Sequence, residues 1–443
     1  MSTAAMPEFP AGFRWGVSTS AYQIEGGVDE NGRGASIWDT FAHTPGRVAD
    51  GSTGDVACDH YHRHAEDVAL LAGLGVSAYR FSIAWPRVRP TGDGPVDARG
   101  LDFYDRLVDD LLAHGVDPVA TLFHWDLPQA LEDAGGWLNR DTAHRFAEYA
   151  DATAARLGDR VKLWITLNEP FIHMSLGHGT GEHAPGRTLL FDAFPVAHHQ
   201  LLAHGLAVSA LRARTASPVA IANNYSPVRP AGDTDADRAA VAAYEALHNR
   251  LFTDPLFGRG YPAELGFDTT VVRAGDLEVI AAPIDVLGVN YYNPTGVRAP
   301  QEDSPLPFEF VPLAGYPRTA FDWPVAPDGL RELLGWLHRT YGDDLPPIQI
   351  TESGCAYDDT PDADGRVHDP ERIAYLDGHL RAVRAAMAEG VNVTGYFVWS
   401  LLDNWEWAEG FTKRFGLVHV DFDTQLRTPK SSYAWFRDLI ARP

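Results

Sequence analysis

The chain has 443 residues and a formal net charge of −24, from 60 acidic against 36 basic side chains, a surface sign that repels nucleic-acid phosphates and anionic lipid and leaves neutral solutes as the expected partners. Hydrophobic residues at 45% and charged residues at 22% match a soluble globular protein with material for a large core and exclude global disorder. Two cysteines, Cys58 and Cys355, are too few for a disulfide framework, and the first ten residues carry no leader pattern; with no run of 18 apolar residues, cytoplasmic residence is the expectation.

Residues 1–8 read as a loose tail and residues 9–443 as a single domain, because no linker or composition shift divides them. From there, short β-branched or aromatic runs alternate with stretches of helical period. The first run, 13–20, is followed by a helical pattern at 66–75 and a second run at 77–83. In the next helix, 101–115, Leu101, Leu107, Val108, Leu111 and Leu112 keep one face and Gly115 supplies the stop. A third run, 118–124, precedes a helix at 142–158, and further runs follow at 163–169, 219–224 and 286–291. A Pro-rich loop, 300–317, leads to a helix at 330–342, a run at 348–352, a helix at 370–390, the last run at 394–400 and a closing helix at 429–440. Eight apolar runs, each able to pair with a helix, predict an α/β fold: a single (β/α)8 TIM barrel with long βα loops.

Polar and aromatic residues that are costly to bury gather at the C-terminal ends of these runs, where barrel enzymes build their sites. His124 ends the third run, Asn168 and Glu169 the fourth, Asn290, Tyr291 and Tyr292 the sixth, Glu352 the seventh and Trp399 the eighth. Strands four and seven face each other across an eight-membered ring, so Glu169 and Glu352 can project into one hollow. Two carboxyls in that relation suit glycoside cleavage: one protonates the departing oxygen and the other attacks the anomeric carbon, with retention of configuration at a separation of about 5 to 5.5 Å.

The segments Thr166-Leu167-Asn168-Glu169-Pro170 and Ile350-Thr351-Glu352-Ser353-Gly354 resemble the two catalytic segments of the glycoside hydrolase family 1 β-glucosidases, and the stretch from Phe13 to Gly26 resembles that family's entry signature. The resemblance runs from about Phe13 to the end of the chain. It implies Glu169 as acid/base and Glu352 as nucleophile. Arg80, Asn290 and Tyr292 are expected to support the nucleophile, Arg80 by keeping it charged and Tyr292 by donating a hydrogen bond, while the resulting negative charge keeps Glu169 protonated. The resemblance also implies that Gln23, His124, Asn168, Tyr292, Trp399, Glu406 and Trp407 bind the sugar, with Trp399 as a stacking floor. Ser353 departs from the family pattern, which has Asn after the nucleophile. Glu406 stands where the family's 6-phosphoglycosidases have a small residue, which favours a sugar without phosphate and makes Lys413 and Arg414 structural or surface charges.

The expected reaction is hydrolysis of terminal β-D-glucosyl residues from a small β-glucoside or short oligosaccharide, with some β-galactosidase and β-fucosidase activity and with no metal or organic cofactor. The alternatives are a transglycosylating β-glycosidase and a carbohydrate-binding barrel without catalysis. His60, His62 and His64 alternate at a helix entry without a cysteine or carboxylate at ligand spacing and are expected to be structural. Cys355 has no histidine placed beside it and is not expected to act as a nucleophile. Trp15, Trp85 and Trp164 are core candidates, and Trp323 a candidate for the aglycone side. The sequence leaves a monomer and a homo-oligomer equally open.

Overall fold

The computed structural model describes residues 6–442. Eight parallel strands close into a barrel. In chain order they are β1 (Arg14–Ser18), β2 (Ala78–Ser82), β3 (Asp117–Phe123), β4 (Leu163–Asn168), β5 (Val219–Asn224), β6 (Val286–Asn290), β7 (Ile348–Ser353) and β8 (Val393–Trp399). Each lies beside its predecessor, and β1 pairs with both β2 and β8 to close the ring. Every predicted run coincides with a strand to within two residues at either end, and the fold is a (β/α)8 TIM barrel.

The strands carry apolar residues on both faces because both faces are covered. Inside, Ala78, Val119, Leu163, Ile165, Ala220, Ala222, Val286 and Phe397 form a closed cluster, the layered filling of a barrel floor. Small and large residues alternate there by necessity. Phe397 lies opposite Gly16, and a β-carbon at Gly16 would sit 2.3 Å from the phenyl ring; only glycine fits beside that side chain.

Outside, the strands alternate with helices α1 (His60–Leu74), α2 (Ala98–Ala113), α3 (Asp141–Leu157), α4 (Phe194–Arg212), α5 (Asp235–Glu245), α6 (Pro327–Tyr341), α7 (Pro370–Ala388) and α8 (Ser431–Ile440). Helix α2 starts three residues before its apolar stripe because the Asp97 side chain accepts the Arg99 N–H and caps it. Helices α4 and α5 escaped the periodicity reading. In α4 the reason is physical: buried residues surround it, including His198, His199, Gln200 and His204, so no polar face marks its period.

The expected loop at 300–317 is not wholly irregular: Glu309–Val311 pairs antiparallel with Thr295–Arg298, which pairs in turn with Val228–Pro230. Of the expected tail, residues 1–5 lie outside the described residues, whereas Met6 packs against the core and the Glu8 carbonyl accepts a hydrogen bond from Arg384. Cys58 and Cys355 are both buried and unpaired. Among the described residues no helix is long and apolar enough to cross a membrane.

Candidate active site

A cavity of about 800 Å³ opens at the C-terminal ends of the strands, and Glu169 and Glu352 both line it. One polar network joins them. Arg80, wholly buried on β2, donates to Glu352 Oε1 at 2.7 Å, to the Thr351 carbonyl at 3.0 Å, to Thr121 Oγ1 at 3.1 Å and to Asn168 Oδ1 at 2.6 Å. A guanidinium in this position must be paired and fully hydrogen-bonded, because an isolated buried charge is expensive. Tyr292 donates to the other oxygen of Glu352 at 2.8 Å. The Asn290 amide, expected to support Glu352, donates to Glu169 Oε1 at 2.8 Å and to Asn168 Oδ1 at 3.0 Å, while its own carbonyl accepts from Thr351.

The backbone aims these groups. Glu169 follows β4 with φ of 43°, in the left-handed region, and Pro170 opens the next helical turn, where a missing N–H costs nothing. Trp125 and Trp407, which also line the cavity, share that backbone region. Non-glycine residues adopt it rarely, and its concentration at one cavity marks a built site. On β7 the pairing register shifts between Ile350 and Glu352, an irregularity of the kind that re-aims a side chain at a barrel rim.

The two carboxyls differ in protonation because their partners differ. Glu169 is pushed up to about 8, first by burial and next by the negative charge of Glu352, against the lowering effect of the Asn290 and Asn224 amides. Burial raises Glu352 as well, and Arg80, foremost, then Tyr292 oppose it, with a smaller lowering by hydrogen bonding from the Asn290 side chain. The strongest positive partner lies on Glu352, so the proton shared by the pair rests on Glu169. Cys355, three residues beyond, is buried and pushed up to about 12, which keeps its thiol protonated and inert.

At the deep end of the cavity the network also fixes the tautomer of His124. Asn168 Oδ1 is occupied by Arg80 and Asn290, so its amide nitrogen faces His124 Nε2 at 3.0 Å. Burial holds the ring well below its ordinary range and therefore neutral, which leaves the hydrogen on Nδ1. That nitrogen is buried without a hydrogen-bond partner among the described residues, a donor turned to the cavity's ligand. Gln23 donates to Glu406 Oε2 at 3.1 Å. Glu406 is raised to about 8 by burial and then by the Glu352 charge. Trp399 and Trp407 complete this end, with the His124 ring nearly parallel to both.

The structure thus gathers His124, Tyr292, Trp399, Glu406 and Trp407 around the two glutamates as lining residues. Gln23 and Asn168, expected on the sugar, are wholly buried one hydrogen bond behind Glu406 and His124. Ser353 does not reach Glu352: its hydroxyl meets that of Tyr375, which donates to the Tyr292 carbonyl. Lys413 lies over Phe321 and donates to the Ala320 carbonyl, and Arg414 pairs with Asp403, so neither presents a free cation to the cavity. His60 pairs with Asp67, and His62 with Asp59 and Glu30. Trp15 is half-buried in an aromatic cluster with Phe9 and Phe13, and Trp85 and Trp164 are fully buried.

Thr180, Gly181, Glu182 and His183 also line the cavity, as do Phe321 and Trp323. Phe321 and Trp323 stack at 4.4 Å, and Trp323 meets Tyr292 edge-on at 5.5 Å. Asn224 and His248 also line the cavity, and sequence reasoning missed both. Asn224 ends a barrel strand in the same way as the residues that were singled out, and that rule applied to β5 would have found it. His248 lies on a widened helical segment after α5 (Ala246–Arg250) that no periodicity announces.

A family model for glycosyl hydrolase family 1 matches residues 5–443. The chain is 52% identical over 443 residues to thermostable beta-glucosidase B of Thermobispora bispora, covering 98% of this chain and 91% of that one. It is 47% identical over 460 residues to a bifunctional beta-D-glucosidase/beta-D-fucosidase of Bifidobacterium breve, covering 98% of each. The structure of the family 1 β-glucosidase from Thermotoga maritima in complex with isofagomine lactam superposes with a TM-score of 0.94 at 45% identity, over 98% of this chain and 99% of that one.

Proposed function

The chain belongs to glycosyl hydrolase family 1, and on that premise we propose that it is a retaining β-glucosidase releasing terminal β-D-glucosyl residues through a glycosyl-enzyme ester. The observation that carries the reading is the unequal environment of two carboxyls in one cavity: Arg80 and Tyr292 on Glu352, two amides and a raised pKa on Glu169.

Glu352 attacks the anomeric carbon while Glu169 gives its proton to the departing oxygen. Esterification removes the negative charge that helps to hold the Glu169 proton, so Glu169 becomes a stronger acid as the proton is needed. It is left as a carboxylate able to take a proton from the attacking water. His124 Nδ1–H and Glu406 hold hydroxyls of the sugar, Trp399 and Trp407 flank its ring, and Gln23 and Asn168 orient and complete that shell. A hydroxyl lost to an epimer leaves one of these buried groups unpaired, which is the basis of discrimination. Activity on β-fucosides and β-galactosides accompanies the glucosidase activity, and Trp323 with Phe321 contacts the aglycone. The substrates are small β-glucosides or short β-glucan oligosaccharides such as those from cellulose, met in the cytoplasm. The two carboxyls supply the acid, base and nucleophile, so the proposed reaction calls on no cofactor.

The test is a panel of aryl β-glycosides followed by NMR during the first turnovers. The β-anomer of glucose must form first and mutarotate later; an α-anomer formed first would sink the double displacement.

A further inference from the structure

The end of β5 carries a line of hydrogen bonds with a fixed direction. The Asn224 amide donates to Glu169 Oε1 at 3.1 Å, and its carbonyl oxygen lies 2.7 Å from His248 Nε2. A carbonyl only accepts, so Nε2 carries the hydrogen. Burial keeps the imidazole neutral, with its pKa lowered to about 3, and Nδ1 must then accept from the Tyr244 hydroxyl at 2.8 Å. The ring itself is fixed in place. It stacks on Phe171 at 4.2 Å, and the next residue, Asn249, exchanges two hydrogen bonds with the backbone of Ser226 just beyond β5.

This line has a consequence for the acid. Oε1 of Glu169 receives two N–H groups, from Asn224 and Asn290, whereas among the described residues no side chain hydrogen-bonds to Oε2. From this geometry we infer that Tyr244, His248 and Asn224 are positioning residues of the acid/base, which set the facing of the Asn224 amide and so place the transferable proton of Glu169 on Oε2. The inference rests on reading Glu169 as the acid/base. In the first step the Oε2 proton passes to the glycosidic oxygen as its bond to the anomeric carbon breaks and a Glu352 oxygen forms the ester. In the second, Oε2 takes a proton from the water whose oxygen replaces that ester bond, and Glu352 leaves as the carboxylate. Without the His248 N–H, nothing prevents the Asn224 amide from turning over; its carbonyl would then draw the proton to Oε1, on the side away from the substrate.

The experiment compares kcat/KM for an alkyl β-glucoside, whose leaving group needs the acid, with that for 2,4-dinitrophenyl β-glucoside, whose leaving group does not. For His248→Phe, which keeps the stack on Phe171, and for Asn224→Ala, the ratio of the two values falls about tenfold, a fraction of what a general acid contributes. Tyr244→Phe, the least disruptive change, moves the ratio in the same direction by less. The basic limb of the alkyl-glucoside pH profile moves upward in Asn224→Ala, because an amide donating to a carboxylate favours its ionised form. The other titratable or charged groups around Glu169, namely Glu352, Arg80, Tyr292, Glu406 and His124, are unchanged in these variants. Equal losses on both substrates, or an unmoved ratio in all three, would overturn the inference, and thermal unfolding of each variant separates a misfolded protein from a mispositioned acid. Glu169→Gln distinguishes the two levels of the reading. A collapsed ratio there with flat ratios in the three variants removes only the positioning role, whereas an unchanged ratio in Glu169→Gln removes the acid/base assignment itself.

Discussion

The two ends of the same eight strands solve opposite problems. On β2, Ala78 belongs to the apolar floor, while Arg80, two residues or roughly 6 to 7 Å further along the strand, is a buried cation paired with a carboxylate. On β4, Leu163 and Ile165 fill the floor, and Asn168 and Glu169 then enter the polar network after a register shift. The floor is held by shape, with Phe397 seated against Gly16, and its parts can be small or large provided the volume closes. The top is held by direction: each donor has one acceptor, and a misplaced proton matters more than a misplaced methyl group. The teaching of the contrast is that stability and chemistry are separated along the strand axis, and it can be broken by substitutions whose effects cross from one end to the other.

The largest expected effect is on chemistry. Glu352→Ala should lower kcat/KM on aryl β-glucosides on the order of 10⁵-fold, the scale on which removal of a nucleophile acts. Azide should restore turnover by entering the space left by the carboxylate, giving an α-glycosyl azide; unchanged mutant turnover would reject the assignment. Glu169→Gln should cost about 10³-fold on alkyl β-glucosides, within the range of a lost general acid, and much less on 2,4-dinitrophenyl β-glucoside.

The same substitution carries a signature in stability. A carboxyl held at about 8 in the folded chain binds its proton more tightly folded than unfolded. Its contribution is therefore complete below the ordinary carboxyl range and is lost as the pH rises through about 8. Chemical denaturation of the wild type against Glu169→Gln should show the wild type losing ground steadily from pH 5 to pH 9. A difference independent of pH would mean that the proton does not rest on this group.

Much of this was legible in the sequence, for reasons that also mark the limits. Strands buried on both faces announce themselves as apolar runs, and polar residues at their ends are too costly to be accidental, so Glu169, Glu352, His124 and Asn290 stood out. What one strand end does to another was not legible. Asn290 was assigned to Glu352, and its amide also reaches Glu169 at 2.8 Å, a second partner set by how neighbouring strand ends meet and encoded in no residue pattern. Helix α4 was missed because burial all round erases its period, and His248 because it reaches the cavity from a helical irregularity rather than from a strand.

The smallest expected effect tests the separation from its other end. Ile165 is fully buried in the floor beside Leu163 and Ala220, and Ile165→Val removes one methyl group from a packed layer, at a cost of about 0.5 to 1.5 kcal/mol in unfolding free energy. The kinetic constants and the pH profile should not change, because the network above is fixed by hydrogen bonds anchored on five different strands, from Arg80 and Thr121 to Asn168, Asn290 and Glu352, and a shift of a few tenths of an ångström at one floor position is shared among them. A shifted basic limb in Ile165→Val would show that floor packing reaches the Glu169 proton, and the two ends of the barrel would then have to be treated as one coupled unit.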